Sequence, residues 1–114
     1  MQKAYRIRKN KQFRFVYRKG HVNGTRLATL HYVASPRIQA GFSVSKKVGN
    51  AVVRNRVKRR MREYFRLHLS ALKNGLYVFT ARPDAANASY EELGKAMDSL
   101  FRREKAYKSS TAQD

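Results

Sequence analysis

Lys46, Lys47, Gly49 and Asn50 stand directly ahead of the run Arg54-Asn55-Arg56-Val57-Lys58-Arg59-Arg60-Met61-Arg62, in which six of nine residues are cationic. Two lysines and a glycine at the start of a helix form an anion site, because the free amides and the positive end of the helix dipole point outward there. The cations that follow extend that site along a surface. The chemistry they offer is the binding of phosphates, repeated along a chain. Nucleotide hydrolysis is not implied, since the sequence has no G-x-x-x-x-G-K-[ST] loop.

Other chemistries lack their residues. The chain has no Cys, so a disulfide framework, a thiolate metal site and a cysteine nucleophile are excluded. Residues 1–62 hold 18 Lys and Arg and no acid; residues 63–114 hold 8 Lys and Arg and all 7 acids. The first half therefore has no carboxylate for general acid–base work or for a metal, and Asp84 has no evident partner. His21, His31 and His68 follow no ligand spacing. No catalytic and no metal-binding residue is expected. A solvated charged face normally mixes signs, whereas here +18 of the net +19 lies in the first 62 residues. Such a surface repels itself unless a polyanion neutralises it.

The 114 residues suit one domain, and 42% hydrophobic residues suffice for a core beneath the charge. Apolar runs are too short to span a bilayer, and no apolar stretch follows the basic Met1–Lys11 segment. A soluble cytoplasmic protein is expected, with no membrane partner.

The elements that must position the cations follow from punctuation and periodicity. Asn10 as N-cap and Gly20 as the residue past the end predict a helix over Lys11–Lys19, with Phe13, Val16 and Tyr17 on its apolar side. Arg26–Ala34 and Ile38–Ser45 read as strands joined by the turn Ser35-Pro36-Arg37, hence as an antiparallel hairpin, and Val22-Asn23 adds a short edge piece. Asn50 caps the longest helix, Ala51 to about Leu72. After Asn74-Gly75, Leu76–Arg82 is a third main strand. Ser89 and Glu92 form a capping box opening a last helix, Tyr90 to about Tyr107. One domain over 1–107 is expected, with 108–114 a disordered tail. The class is α+β.

On the long helix, at about 100° per residue, Val53, Val57, Met61, Tyr64 and His68 form a core stripe with Phe65 and Leu72. Asn55, Lys58, Arg59, Arg62 and Arg66 lie opposite, and Arg56 and Arg60 flank the stripe, where their stems can snorkel. Along the strands, Leu30, Tyr32, Phe42, Val44, Tyr77 and Phe79 alternate onto one apolar sheet face. Thr29, His31, Gly41, Ser43, Val78, Thr80 and Arg82 fall on the other, which is either plain surface or the floor of a groove beneath the first helix.

The run SVSKKVGNAVVRNRVKRRMRE, Ser43–Glu63, closely resembles the signature of the protein subunit of bacterial ribonuclease P. Arg54-Asn55-Arg56 followed by Val57-Lys58-Arg59 is its most diagnostic part, and the element order extends the resemblance over nearly the whole chain. The resemblance implies a single compact domain with the order α-β-β-β-α-β-α. It implies three helices on a mixed sheet of about four strands, and a left-handed βαβ crossover against the usual preference. It implies assembly with a ribonuclease P RNA that removes the 5′ leader of precursor tRNA by Mg²⁺-dependent hydrolysis, the Mg²⁺ being held mainly by RNA and substrate. Lys46, Lys47, Asn50, Arg54, Asn55, Arg56, Lys58, Arg59, Arg62 and Arg66 would then face the RNA subunit. Phe13, Tyr17, Ser43 and Arg82 would line a groove for the single-stranded leader, where aromatic rings stack on unpaired bases. His31 is assigned to the same groove, with Tyr32 as the alternative, because no motif sets the register of Arg26–Ala34. The protein without RNA is expected to be monomeric and to cut nothing. Composition alone would equally suit a ribosomal protein. A DNA-binding protein is disfavoured because no helix-turn-helix partner precedes Ala51.

Overall fold

A computed structural model describes residues 2–108. After a 3-10 turn at Lys3–Tyr5 come α1 (Asn10–Lys19), β1 (His21–Gly24), β2 (Ala28–Val33), β3 (Ile38–Ser43) and α2 (Ala51–His68). β4 (Gly75–Ala81) follows a 3-10 turn at Leu69–Ala71, and α3 (Tyr90–Arg103) follows another at Pro83–Asn87. Three helices thus pack on one four-stranded mixed sheet of order β1-β2-β4-β3.

β2 and β3 are not a hairpin. Both pair with β4, which lies between them, β2 antiparallel and β3 parallel. The turn at Ser35–Arg37 reverses the chain as expected, but the slot between the two strands is filled by β4. Hydrogen bonding on both sides suits β4, whose residues are all buried except Thr80. The hairpin partner of β2 is instead the short β1.

Two predicted caps hold. Asn50 Oδ1 accepts from the Val53 amide at 3.0 Å, and Ser89 with Glu92 forms the reciprocal box at 3.0 and 2.8 Å. Asn10 does not cap α1; it is the first helical residue, and Lys9 precedes it without a side-chain cap. Gly20 ends that helix at φ −79°, so its role is space: a Cβ there would lie 2.6 Å from the Val16 carbonyl oxygen. α3 stops at Arg103, short of Tyr107. Lys105 then takes φ 55°, turning the chain so that Tyr107 bridges Leu72 and the Lys108 amide reaches the Ala71 carbonyl at 2.8 Å. Lys108 is therefore tied to the body; the rest of the expected tail, 109–114, lies outside the described residues.

The sheet has a core on each face. On one, Leu30, Tyr77 and Phe79 meet Val57, Met61 and Phe65 of α2 and Leu93, Met97, Leu100 and Phe101 of α3, all essentially without exposure. Each such side chain contributes about 1.5–3 kcal/mol on burial. On the other, Val16 of α1 and Ile7 cover Leu76 and Val78. β3 is an edge strand, and the N-terminal segment covers the start of its free edge: Arg6 bridges Ala40, whose carbonyl accepts from the Ile7 amide at 2.9 Å.

Candidate nucleic-acid interface

The buried stripe of α2 is Val57, Met61 and Phe65, which turns the cationic positions away from the sheet. Lys46 and Lys47 are exposed on the turn after β3, pinned by buried Val48 and by Ser45 Oγ accepting from the Lys47 amide at 3.3 Å. Asn55 and Arg59 are exposed; Arg54, Lys58 and Arg62 are half-buried. The Arg54 Nε is buried without a hydrogen-bond partner among the described residues.

Not every cation of the run is free. Arg56 donates from Nη2 to the Ala86 carbonyl at 3.1 Å, and Arg60 from Nη1 to the Ala88 carbonyl at 2.9 Å, so these two tie the Pro83–Asn87 turn and the residue after it to α2. Arg66 is engaged with Glu63 through two hydrogen bonds, of 3.2 and 2.6 Å, and these hold the Glu63 carboxyl below the usual carboxylate range. Arg60→Ala should therefore cost about 1 kcal/mol and lower the melting temperature by about 4–8 °C. Arg59→Ala should leave the melting temperature unchanged and weaken RNA binding instead. Calorimetry alongside an RNA titration checks both.

α1 crosses the small-residue face of the sheet. The Phe13 ring lies directly on Gly41, where a Cβ would come within 2.5 Å of its Cζ. One turn on, the Tyr17 hydroxyl sits 3.3 Å from Thr80 Oγ1, and its ring meets His31 edge-on at 4.9 Å. Between α1, the free edge of β3 and the basic side of α2 run two adjoining clefts of about 290 and 410 Å³, which share Phe13, Phe42 and Lys58. Arg6, Arg8 and Arg62 line the first, and Asn10, Arg14, Tyr17 and Ser43 the second. Among the described residues neither lining contains a carboxylate. Among the described residues no group of three or more His, Cys, Asp or Glu could hold a metal ion.

The structure thus brings Phe13, Tyr17 and Ser43 together and joins them to Lys58 and Arg62. His31 lies behind Tyr17 and does not line the cleft; burial pulls its pKa below the ordinary value, and its Nδ1 has no partner among the described residues. Tyr32 is on the opposite face, buried, with its hydroxyl donating to the Asn74 carbonyl. The pairing of His31 with Val78 settles the register that no motif set. Arg82 is not brought to the cleft. β4 ends at Ala81, the Arg82 amide bonds the Leu27 carbonyl, and the side chain lines a separate hollow with Arg26, Pro83 and Asp84. Sequence reasoning missed Arg6, Arg8, Asn10 and Arg14 as lining residues. The first two lie outside any periodic element, and only their charge marked them.

The sequence matches the family model for ribonuclease P over residues 1–105. It is 38% identical to the ribonuclease P protein component of Bacillus velezensis, across 99% of this chain and 100% of that protein. It is 40% identical to the same component of Alkaliphilus metalliredigens, across 92% and 97%. The structure is similar to that of the Staphylococcus aureus RNase P protein, with a TM-score of 0.87, 33% identity, and coverage of 93% of this chain and 100% of that one. The RNase P protein of Thermotoga maritima shares the fold, with a TM-score of 0.78 at 21% identity over 86% and 96% of the two chains.

Proposed function

The chain belongs to the ribonuclease P protein family, and from that premise we propose that it joins a ribonuclease P RNA to form an endonuclease that removes the 5′ leader of precursor tRNA. The observation that carries this reading is a cleft free of carboxylates, with two aromatic rings on one wall, continuous with the cationic face of α2. Lys46, Lys47, Arg54, Asn55, Lys58, Arg59 and Arg62 meet the RNA subunit. Asn50, its Oδ1 spent on capping α2, offers that RNA its amide N–H groups. Arg56 and Arg66 face the RNA with part of their donor capacity already engaged.

The leader lies in the cleft. Phe13 and Tyr17 stack on unpaired bases without demanding a sequence. Arg6 and Arg8 take its phosphates, and the Ser43 hydroxyl bonds whichever group passes it. Mg²⁺ supplies the hydrolytic chemistry from sites on RNA and substrate, since the cleft lining offers no carboxylate to hold it. The chain's own part is to bind, orient and neutralise. Protein cations reduce the phosphate repulsion that Mg²⁺ must otherwise screen, so the holoenzyme works at lower Mg²⁺. With a charge of +19, copies of the protein repel one another, which supports a monomer until RNA is met. This activity belongs in the cytoplasm, with its RNA partners.

Reconstitution tests the reading. Protein and ribonuclease P RNA together should cleave precursor tRNA at a Mg²⁺ level where neither does so alone; no stimulation would refute it. Cleavage by rigorously RNA-free protein would refute the division of labour. Within the holoenzyme, Tyr17→Ala should weaken precursor binding about fivefold or more and spare mature tRNA, whereas Tyr17→Phe keeps the ring and most of the affinity. Equal losses for precursor and mature tRNA would instead assign Tyr17 to packing.

A further inference from the structure

α1 carries a third aromatic side chain that the leader cleft does not use. Phe15 is 40% exposed and, at about 100° per residue, projects about 160° around the helix from Phe13 and from Tyr17. It borders a groove of about 580 Å³ formed with Lys11, Gln12, Arg14 and Arg18 over Leu76. This groove too has no carboxylate in its lining. Arg14 lines both this groove and the Tyr17 cleft, so the two meet across the outer ridge of α1.

Three cations around an exposed ring are poorly suited to an apolar or a basic partner, and they match a chain that offers phosphates and π-faces in alternation. The ridge between the two sites is one helix wide, about 10 Å, a span that a few nucleotides cross. We propose that the Phe15 groove binds the distal, 5′ part of the same single-stranded leader, a base stacking on Phe15 while Lys11, Arg14 and Arg18 hold the flanking phosphates. This rests on the reading of the Phe13–Tyr17 cleft as the leader's entry and extends its path over α1. The leader would then be gripped on both flanks of one helix, and affinity would depend on leader length.

The test uses reconstituted holoenzyme and two precursors, one whose leader ends within the Phe13–Tyr17 cleft and one extended by further single-stranded nucleotides. Single-turnover cleavage titrated with holoenzyme gives the concentration at half-maximal rate for each. Phe15→Leu keeps an apolar side chain in the groove that Leu76 lines and removes the ring. It should weaken the long-leader precursor about fivefold or more and leave the short-leader precursor unchanged. Phe15→Trp, which retains the stacking surface, should keep the long-leader affinity. Unchanged long-leader affinity in Phe15→Leu, or an equal loss for both precursors, overturns the proposal. Tyr17→Ala separates the two readings: if it weakens both precursors while Phe15→Leu weakens neither, only the extended path fails. If Tyr17→Ala weakens neither, the cleft itself has been misassigned.

Discussion

Affinity for the RNA subunit should fall about 250-fold or more as monovalent salt rises from about 50 to about 200 mM, with a log–log slope of about −4 to −8. The range follows from which cations are available. Lys46, Lys47, Arg54, Lys58, Arg59 and Arg62 have no side-chain partner among the described residues, whereas Arg56 and Arg60 bond carbonyls and Arg66 is held by Glu63. Six available cations set the lower bound, and partial contributions from the engaged ones set the upper. Each phosphate neutralised releases condensed counterions, and added salt opposes that release. Single substitutions should resolve the sum: Arg59→Ala should reduce the slope by about 1, and Arg60→Ala by much less. A fluorescence titration across the salt range reads both. A slope near zero would remove the electrostatic account, and equal slope changes for Arg59 and Arg60 would contradict the partition seen on α2.

Local signals in the sequence were good guides at two of the three predicted N-caps, while Asn10 is the first residue of α1 and not its cap. Asn50 and Ser89–Glu92 cap their helices as their spacing implies, because a cap is a contact within one turn. Of the expected stripe on α2, Val57, Met61 and neighbouring Phe65 are buried as the 3.6-residue period requires, while Val53, Tyr64 and His68 are half-buried. The larger failure is long-range. A turn between two strands does not say whether a third enters between them, and β4, some thirty residues later, does so. The site follows the same division. Phe13 and Tyr17 are a helical turn apart, so one helix sets their common side. Arg82 shares strand parity with Thr80, yet β4 ends before it and the chain turns away. Arg56 and Arg66 look equivalent to Arg59 by composition. Only the fold reveals that a carbonyl in the turn after β4 and the neighbouring Glu63 have engaged them.

Gly41→Val should lower affinity for precursor tRNA about tenfold or more while the RNA subunit still binds, because Gly41 is where the fold and the leader cleft are the same contact. A Cβ at Gly41 would lie 2.5 Å from Phe13 Cζ, 2.6 Å from Cε1, and 3.3 Å from Ile7 Cβ. The ring cannot yield toward Ile7, which is buried and whose amide bonds the β3 edge. It must swing out into the cleft that it shares with Lys58 and Phe42, or α1 must tilt away from the sheet. Either movement takes the stacking surface from its place beside Tyr17, a loss of about 1–3 kcal/mol per base, and overpacking adds about 1–3 kcal/mol of instability. The two costs separate in the double variant Gly41→Val with Phe13→Ala, where the clash is gone and the ring is absent. Its melting temperature should recover toward wild type, and its precursor affinity should not. Arg54, Asn55 and Arg59 sit on α2, on the far side of the sheet from Phe13, so the face proposed for the RNA subunit is left in place. Wild-type precursor affinity in Gly41→Val would mean that Phe13 can leave Gly41 at no cost. The ring would then be a packing residue that only borders the cleft.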